Sequence, residues 1–574
     1  MNNKKWIIFL AIFALTLMFT GVMTLASGTS KVPPKKGRFS PAVAFDVSPP
    51  LRDLAKNKPP RQHGTDVDEI RPERGKVGKD RGFSGDKVRQ NILPTPPVIP
   101  GTILNFEGMS NQDNFNIFGG RVNPPDPMGD VGKFNYVEMT NLTVGMYDKA
   151  GNMQIGPFDI GALWSGFAVP DCTDASGDPV VLYDQFTNRW LLTQFTTSGL
   201  FDSSKPFWNC VAISTNNDPT GSYYRYAFET ANFQYFPDYP KYGVWTDSYV
   251  IATREFGPTI EYGIGVYALE KNKMLSGDPT ARVVSFFLDG NDDDILPLVG
   301  DGLLPADIDG KTKPKYDDSI PLVGTQDDDA PYGATFDALN IWDLAVKWKA
   351  IPTATLELAA QLATAPFDSI YPCSPTSRDC LPEPGISNPS QFLDVLSYRQ
   401  RPTWRLAYRN FGNYDALVTN QSVEAASSPA QAGVRWYEVR RTSGGYSIYQ
   451  QGTFAPSDGV HRWMASAAQD KNGNIALGYS VVDATTVKPG IRYTGRLSGD
   501  TLGQMTLGEG SVIDGTGVQT TTNSRWGDYT SLNIDPVDDC TFWYVNEYYT
   551  AAGQASSTAG WQTRIASFKL PGCK

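Results

Sequence analysis

From Gly101 onward the chain repeats one pattern: a short apolar or aromatic run, a turn rich in Asp, Asn and Gly, and a second run returning. VGMYDKAGNMQIG (144–156), VVLYDQFTNRWLLTQF (180–195), SAAQDKNGNIALGYS (466–480) and SLNIDPVDDCTFWYVNEY (531–548) all follow it. Short apolar and β-branched runs bounded by turn formers predict strands. An Asp at the end of such a run predicts a hairpin whose first N–H groups are capped by its carboxylate. Asp148, Asp184, Asp470 and Asp535 hold that position and are read as structural. Long Leu/Ala/Glu/Lys stretches of helical period are missing.

Taken in order, the runs form about seven units of three or four strands, the sequence signature of a β-propeller. They open at Asp126, at Gly177-Asp178, at DYPKYGVW, at LLPADIDG (303–310), at TWRLAYRNFG, at RWMASAAQD and at RWGDYTSLNID, with WQTRIASFKL completing the last. The seventh unit is one strand short, and ILNFEG (103–108) is placed to supply it and to remove an exposed edge. The expected fold class is all-β, a seven-bladed propeller over 101–574 closed by an N-terminal strand. Separate β-sandwich domains are the alternative. A mean unit of roughly 68 residues exceeds the ~40–45 of compact propeller repeats. The Asp-rich stretches LDGNDDDILPLVGDG (288–302) and DDDAPYG (327–333) are where long loops absorb the excess.

The first 100 residues break the pattern. MNNKKWIIFLAIFALTLMFTGVMTLAS places Lys4 and Lys5 before an apolar run that ends in small residues, which predicts a signal peptide over 1–26 with cleavage before Ser27. The run is also long enough for an uncleaved anchor. Residues 27–100 are rich in Pro, Lys, Arg and Gly and are expected to be a disordered linker, AVAFDVSPPL excepted, which suits a partner surface. The linker carries 15 Lys and Arg against 8 Asp and Glu, whereas 33 basic and 53 acidic residues follow Pro100. A basic tether on an acidic body suits attachment to an anionic cell wall or membrane surface, or a plain solvated spacer, and disfavours nucleic acid as partner.

The six cysteines all fall in the part expected to be exported. An even number there predicts structural disulfides, with neighbours favoured: Cys172 with Cys210, Cys373 with Cys380, and Cys540 with Cys573. Without a CxxC, and with His63 and His461 as the chain's two histidines, a zinc site is disfavoured. No cofactor is expected. Calcium in the Asp-rich loops suits hard oxygen ligands, although EF-hand spacing is missing.

In a propeller, residues just before the first strand of each blade rim one mouth of the central channel. That rule selects Asp126 and Asp130, Asp178, Asp238 with Lys241, and Asp307 as an acidic half, and Trp404-Arg405, His461-Arg462 and Arg525 with Asp528 as a basic half. Such a rim suits a polar, partly charged ligand, a polysaccharide or an extracellular protein. Arg–Asp pairs that merely tie neighbouring blades together are the competing explanation. A lone histidine beside Arg462 is expected at the surface, not as the base of a serine hydrolase.

PPDPMGDVGKFNYVEMTN, GDPVVLYDQFTNRWLLTQF, DPTGSYYRYAF, DYPKYGVW, GVRWYEVR, YQQGTFAP, IRYTGRL and RWGDYTSLNIDPVDDCTFWY resemble the corresponding strings of a large family of exported bacterial proteins without an assigned activity. The resemblance implies export and a large β architecture, and no catalytic residue. More loosely, the chain resembles the sialidase and Asp-box propellers, which hold a sugar carboxylate with three arginines and use a Tyr–Glu pair and an acid. That likeness would give such roles to Arg405, Arg462 and Arg525 with Tyr529 and Asp528. The chain departs from it in lacking the Arg-Ile-Pro signature and the Ser-x-Asp-x-Gly-x-x-Trp hairpin. The function expected is a secreted or surface-held binding module acting through the channel mouth. A carbohydrate-active enzyme at the same place and a structural wall or matrix component are the alternatives.

Overall fold

The computed structural model describes residues 32–57, 85–257, 261–314, 319–328, 332–369, 379–395 and 401–574. The expected signal, 1–26, and Cys373 lie outside the described residues. What is described is all-β: one ten-stranded mixed sheet, two five-stranded, three four-stranded and one two-stranded sheet, along which successive antiparallel runs of four strands are numbered below as units.

Unit 1 is Met128–Val131, Asn135–Thr140, Thr143–Asp148 and Met153–Asp159. Unit 2 is Val181–Asp184, Arg189–Phe195, Trp208–Ser214 and Tyr223–Glu229. Unit 3 is Phe236–Val244, Ser248–Phe256, Glu261–Glu270 and Arg282–Asp289. Unit 4 is Leu304–Ile308, Ile320–Gln326, Ala338–Lys347 and Thr353–Ala363. Unit 5 is Thr403–Asn410, Asp415–Ser427, Ala430–Thr442 and Gly445–Phe454. Unit 6 is His461–Gln469, Ile475–Val482, Gly490–Arg496 and Glu509–Ile513. Unit 7 is Ser531–Ile534, Thr541–Tyr549, Trp561–Lys569 and, from the other end of the chain, Leu104–Ser110.

The first strands of successive units touch in chain order, and that of unit 7 touches that of unit 1. Units 4 and 5 go further and merge into one mixed sheet, their first strands pairing in parallel with Ala306 opposite Leu406 and Ile308 opposite Tyr408. Elsewhere the first strands do not form a ladder, so their buried backbone groups need other partners. Side chains provide them. Asp130 accepts from Tyr183 N at 2.6 Å, Asp307 from Val244 N at 3.0 Å and Ser466 from Leu532 N at 3.0 Å. Ser531 accepts from Gly129 N at 2.9 Å and donates to Gly129 O at 2.7 Å, which joins unit 7 to unit 1. Apolar faces fill the wedges between units: Tyr136 stacks on Trp543 at 5.3 Å, Phe195 meets Phe236 at 5.0 Å, and Trp245 meets Tyr408 at 4.9 Å.

The capped hairpins form as the spacing predicts. Asp148 accepts from Ala150 N and Asn152 N, and Asp470 from Asn472 N and Asn474 N, at 2.9–3.0 Å. Asp184 accepts from Phe186 N at 3.1 Å and Asp535 from Val537 N at 2.9 Å. Cys172–Cys210 and Cys540–Cys573 are disulfides, and Cys380 is disulfide-bonded as well.

The expectation of a disordered linker is corrected for residues 32–57 and 85–100, whereas 27–31 and 58–84 lie outside the described residues. Lys35–Lys36 adds to the outer edge of unit 4, Arg38–Pro41 to unit 3 and Ala44–Val47 to unit 2, all antiparallel. The helix Leu51–Asn57 then packs on the outer strand of unit 1. Arg89–Gln90 pairs in parallel with the outer strand of unit 5, and Val98 N and Ile99 N both donate to Leu507 O at 2.9 Å beside unit 6. This polar segment needs no core of its own, because the open edges offer it ready-made backbone partners. AVAFDVSPPL does lie on a surface, that of its own chain, where Asp46 pairs with Arg225 at 2.6 Å.

Candidate functional site

Residues that open the first strands of units 1, 2, 3 and 7 converge at one end of the molecule, together with Arg401 before unit 5. Asp528 N donates to Asp126 Oδ1 at 3.0 Å. Tyr529 Oη lies 3.2 Å from Asp178 Oδ2 and 3.1 Å from Pro240 O, while Tyr239 donates its N–H to Asp178 at 3.2 Å and its O–H to Asp528 O at 3.1 Å. The two tyrosine rings stand 5.1 Å apart. Lys241 Nζ lies over both, 3.0 Å from the centre of Tyr239 and 3.5 Å from that of Tyr529, and the Arg401 guanidinium lies 3.7 Å from the centre of Tyr239. Lys241 is 2% exposed and its amine has no hydrogen-bond partner among the described residues. Beside it, walled by Arg254, Leu303 and Arg401, is a cavity of about 10 Å³, room for about one water.

Backbone geometry marks the same place. Asp126, Asp178 and Tyr239 have φ of 47°, 43° and 52°. Non-glycine residues take that left-handed conformation at a cost of about 1–3 kcal/mol, so the surrounding contacts must hold them there.

Electrostatics follow from burying these acids and bases together. Burial first, then the charges of Asp238 and Asp528, push the Asp178 carboxyl up to about 7. Burial, with Asp528 and Asp178 adding to it, pushes Asp126 up strongly. For Lys241, burial and the neighbouring Arg401 favour the neutral amine, against the pull of Asp178 and Asp528. Around this centre, Arg254 reaches Asp238 at 3.6 Å and Asp301 at 3.2 Å, Arg525 pairs with Asp528 and lies 3.7 Å from Asp394, and Gly527 N donates to Glu547. The Trp526 indole is core: it donates to Ser480 at 3.0 Å and packs on Trp463 and Tyr549.

Several expectations for the rim are corrected by this geometry. Asp178, Asp238, Lys241, Arg525 and Asp528 meet there. Asp130 and Asp307 do not; they sit inside their strands, tied to neighbouring backbone. Arg405 lies deeper with them, donating to Asp307 at 3.0 Å and to Asp309 at 2.8 Å and 2.9 Å. Arg462 reaches across unit 6 to Glu509 at 2.8 Å and Asp458 at 2.7 Å. The three arginines set out by the sialidase likeness therefore serve three separate carboxylate groups, and Tyr529 pairs with Asp178 in place of Asp528. His461 is buried, contrary to expectation: it accepts from Ala432 N at 3.2 Å, and burial pulls it down to about 4.

Arg401, Tyr239 and Glu547 are site residues that the strand pattern did not flag. Arg401 sits before Pro402, two residues upstream of the strand that begins at Thr403, whereas the aromatic signal had placed the boundary at Trp404. Of the Asp-rich loops, 288–302 caps its own turns through Asp289 and Asp292. DDDAPYG brings Asp327 and Asp328 near Asp337, with one oxygen of each within 4.8 Å of the others.

No family model and no curated protein matches the chain. Among solved structures it is similar to an α-L-arabinofuranosidase from Fusarium graminearum (12% identity, TM-score 0.36, 71% of this chain and 96% of that one). It is also similar to an α-L-arabinanase from Penicillium chrysogenum (11%, 0.32, 71% and 96%) and to a Hadza microbial sialidase (11%, 0.33, 77% and 74%). These likenesses are loose, and no active-site residue transfers from them to this chain.

Proposed function

We propose that the seven units are blades of one closed β-propeller, exported from the cell, that binds a glycan at the axial end where Asp126, Asp178, Lys241 and Asp528 meet. The ring reading rests on the cyclic order of first-strand contacts and on the Ser531–Gly129 seam. Export rests on the apolar start of the sequence and on the disulfides, which persist in oxidising compartments.

The observation that carries the site is the pair of tyrosine rings around the Lys241 amine, with the Asp178 carboxyl bonded to one of them. Fixed buried polar groups beside a cavity with room for about one water suit a single hydroxyl at the tip of a glycan. Hydrolysis is the second reading, favoured by one observation: a carboxyl at about 7 beside further buried carboxyls can give or take a proton near neutrality.

The test is retention and turnover of a broad glycan panel, arabino-oligosaccharides and sialosides included, by wild type, Asp178→Asn and Lys241→Met. We expect each variant to keep its melting transition and to lose about tenfold or more in retention, the effect of about 1.4 kcal/mol. Retention unchanged in both variants sinks the site. Turnover by wild type that vanishes in Asp178→Asn makes the hydrolytic reading the correct one.

A further inference from the structure

The opposite end of the units carries a different surface. There the turns joining first to second strands gather, and two adjoining depressions lie among them. One, of about 590 Å³, opens between the turns of units 1, 2, 4 and 7; the other, of about 370 Å³, opens between those of units 4, 5, 6 and 7. Gly310, Lys311 and Val537 line both, so the two form one trough. Gly310 has φ of 78°, and a Cβ there would stand 2.6 Å from Arg409 Nη1; the trough floor needs glycine to lie flat on that guanidinium.

Among the described residues that line the trough, basic side chains outnumber carboxylates. Four carboxylates in or beside it are ion-paired: Asp535 with Lys149 at 2.8 Å, Asp538 with Lys569 at 2.7 Å, Asp539 with Arg409 at 2.7 Å and Asp309 with Arg405 at 2.8 Å. Lys133 and Lys311, both exposed, have no ion pair and no side-chain hydrogen bond among the described residues, and Lys471 donates to a carbonyl, Asp538 O, at 3.0 Å. Lys133, Lys311 and Lys471, with Lys574 in the same lining, thus set ammonium groups round a trough on a chain whose formal net charge is −11. Beside them Phe134 is 63% exposed, and Phe186, Gln185 and Asn188 are half-buried in the same wall.

We propose that this trough is a second carbohydrate site, selective for acidic oligosaccharides whose sugar rings bear carboxylates. The ammonium groups meet the carboxylates, the phenyl faces meet the rings, and the amides meet hydroxyls. Its size is that of an oligosaccharide pocket and far exceeds what a lone anion needs.

The test is calorimetric titration with a defined oligogalacturonate and, as the charge control, the same chain fully methyl-esterified. We expect wild type to bind the acid form about tenfold or more tightly than the ester, and the preference to shrink as salt rises from about 50 to 300 mM. Lys133→Ala/Lys311→Ala and Phe134→Ala should each weaken the acid form about tenfold with an unchanged melting temperature. Asp178→Asn, at the far end, should leave this binding intact whether or not it affects the panel above. Equal affinity for acid and ester overturns the proposal, and so does wild type that binds neither. Binding lost in Asp178→Asn but kept in the lysine variant assigns acidic sugars to the other end. A single-stranded DNA oligonucleotide that binds equally well reduces the trough to general polyanion attraction and overturns its assignment to sugars.

Discussion

At the scale of single residues, the interior holds ionisable groups that burial has moved toward neutrality. Glu255, fully buried and bonded to Tyr267 and Thr253, is pushed by burial from the ordinary 4.5 up to about 8. Glu138, which accepts from Met109 N, Thr563 and Tyr147, is pushed to about 7. In the unfolded chain both would ionise near 4.5, so across the interval up to 7–8 the folded state holds more protons. Their contribution to stability is therefore complete below about 4.5, fades as pH rises, and is gone above about 8. His461 acts oppositely: neutral in the fold down to about 4, it costs stability as pH falls from 6.5. The expected outcome is an unfolding free energy that declines from pH 6.5 to 8, with Glu255→Gln flattening that decline. At about 1.4 kcal/mol for each pKa unit, urea titrations at three pH values resolve it; a slope unchanged by Glu255→Gln would leave the carboxyl ionised in the fold.

At the scale of elements, the first strands are held to their neighbours by side chains where a ladder is missing, and these ties are single points of failure. Ser531→Ala leaves Gly129 N, buried at the junction of units 1 and 7, without its acceptor. An unsatisfied buried donor costs about 1–3 kcal/mol, and the midpoint of chemical denaturation should fall accordingly, whereas Ser498→Ala, in a surface turn, should leave it within error. Reduction of Cys172–Cys210 and Cys540–Cys573, which span 38 and 33 residues, should lower the melting temperature, since loops of that length are worth about 3–4 kcal/mol each in the chain-entropy account. An unmoved transition on reduction would count against both bridges. The elements were also the most legible part of the chain. Asp148, Asp184, Asp470 and Asp535 announce their hairpins because the bond that fixes each turn lies within four residues. Arg405 and Arg462 misled because strand periodicity places a side chain on a face without saying which carboxylate waits there; Asp309 and Glu509 are 96 and 47 residues away.

At the scale of the whole molecule, residues 32–57 cover the outer edges of units 4, 3 and 2 and one face of unit 1, running against the direction in which the units follow one another. Apart from AVAFDVSPPL, whose fit to a surface showed, this was not legible, since strands of two to four residues carry no periodicity and find partners more than 170 residues away. Removing 32–57 should leave the seven units folded but with three unpaired edges, and open edges recruit other chains. Light scattering should then show concentration-dependent association that the full chain lacks; a truncated protein that stays monodisperse would mean the edges are protected in another way. The axial cluster was legible in part for the same reason of distance: Asp126 and Asp528 were each visible beside a strand start, but their meeting depends on the first and last units being neighbours.

That neighbourhood has a consequence for biosynthesis. Leu104–Ser110 leaves the ribosome long before the strand it pairs with, Trp561–Lys569. That sheet is therefore completed only once Trp561–Lys569 has emerged, and until then the earlier strand stays unmatched.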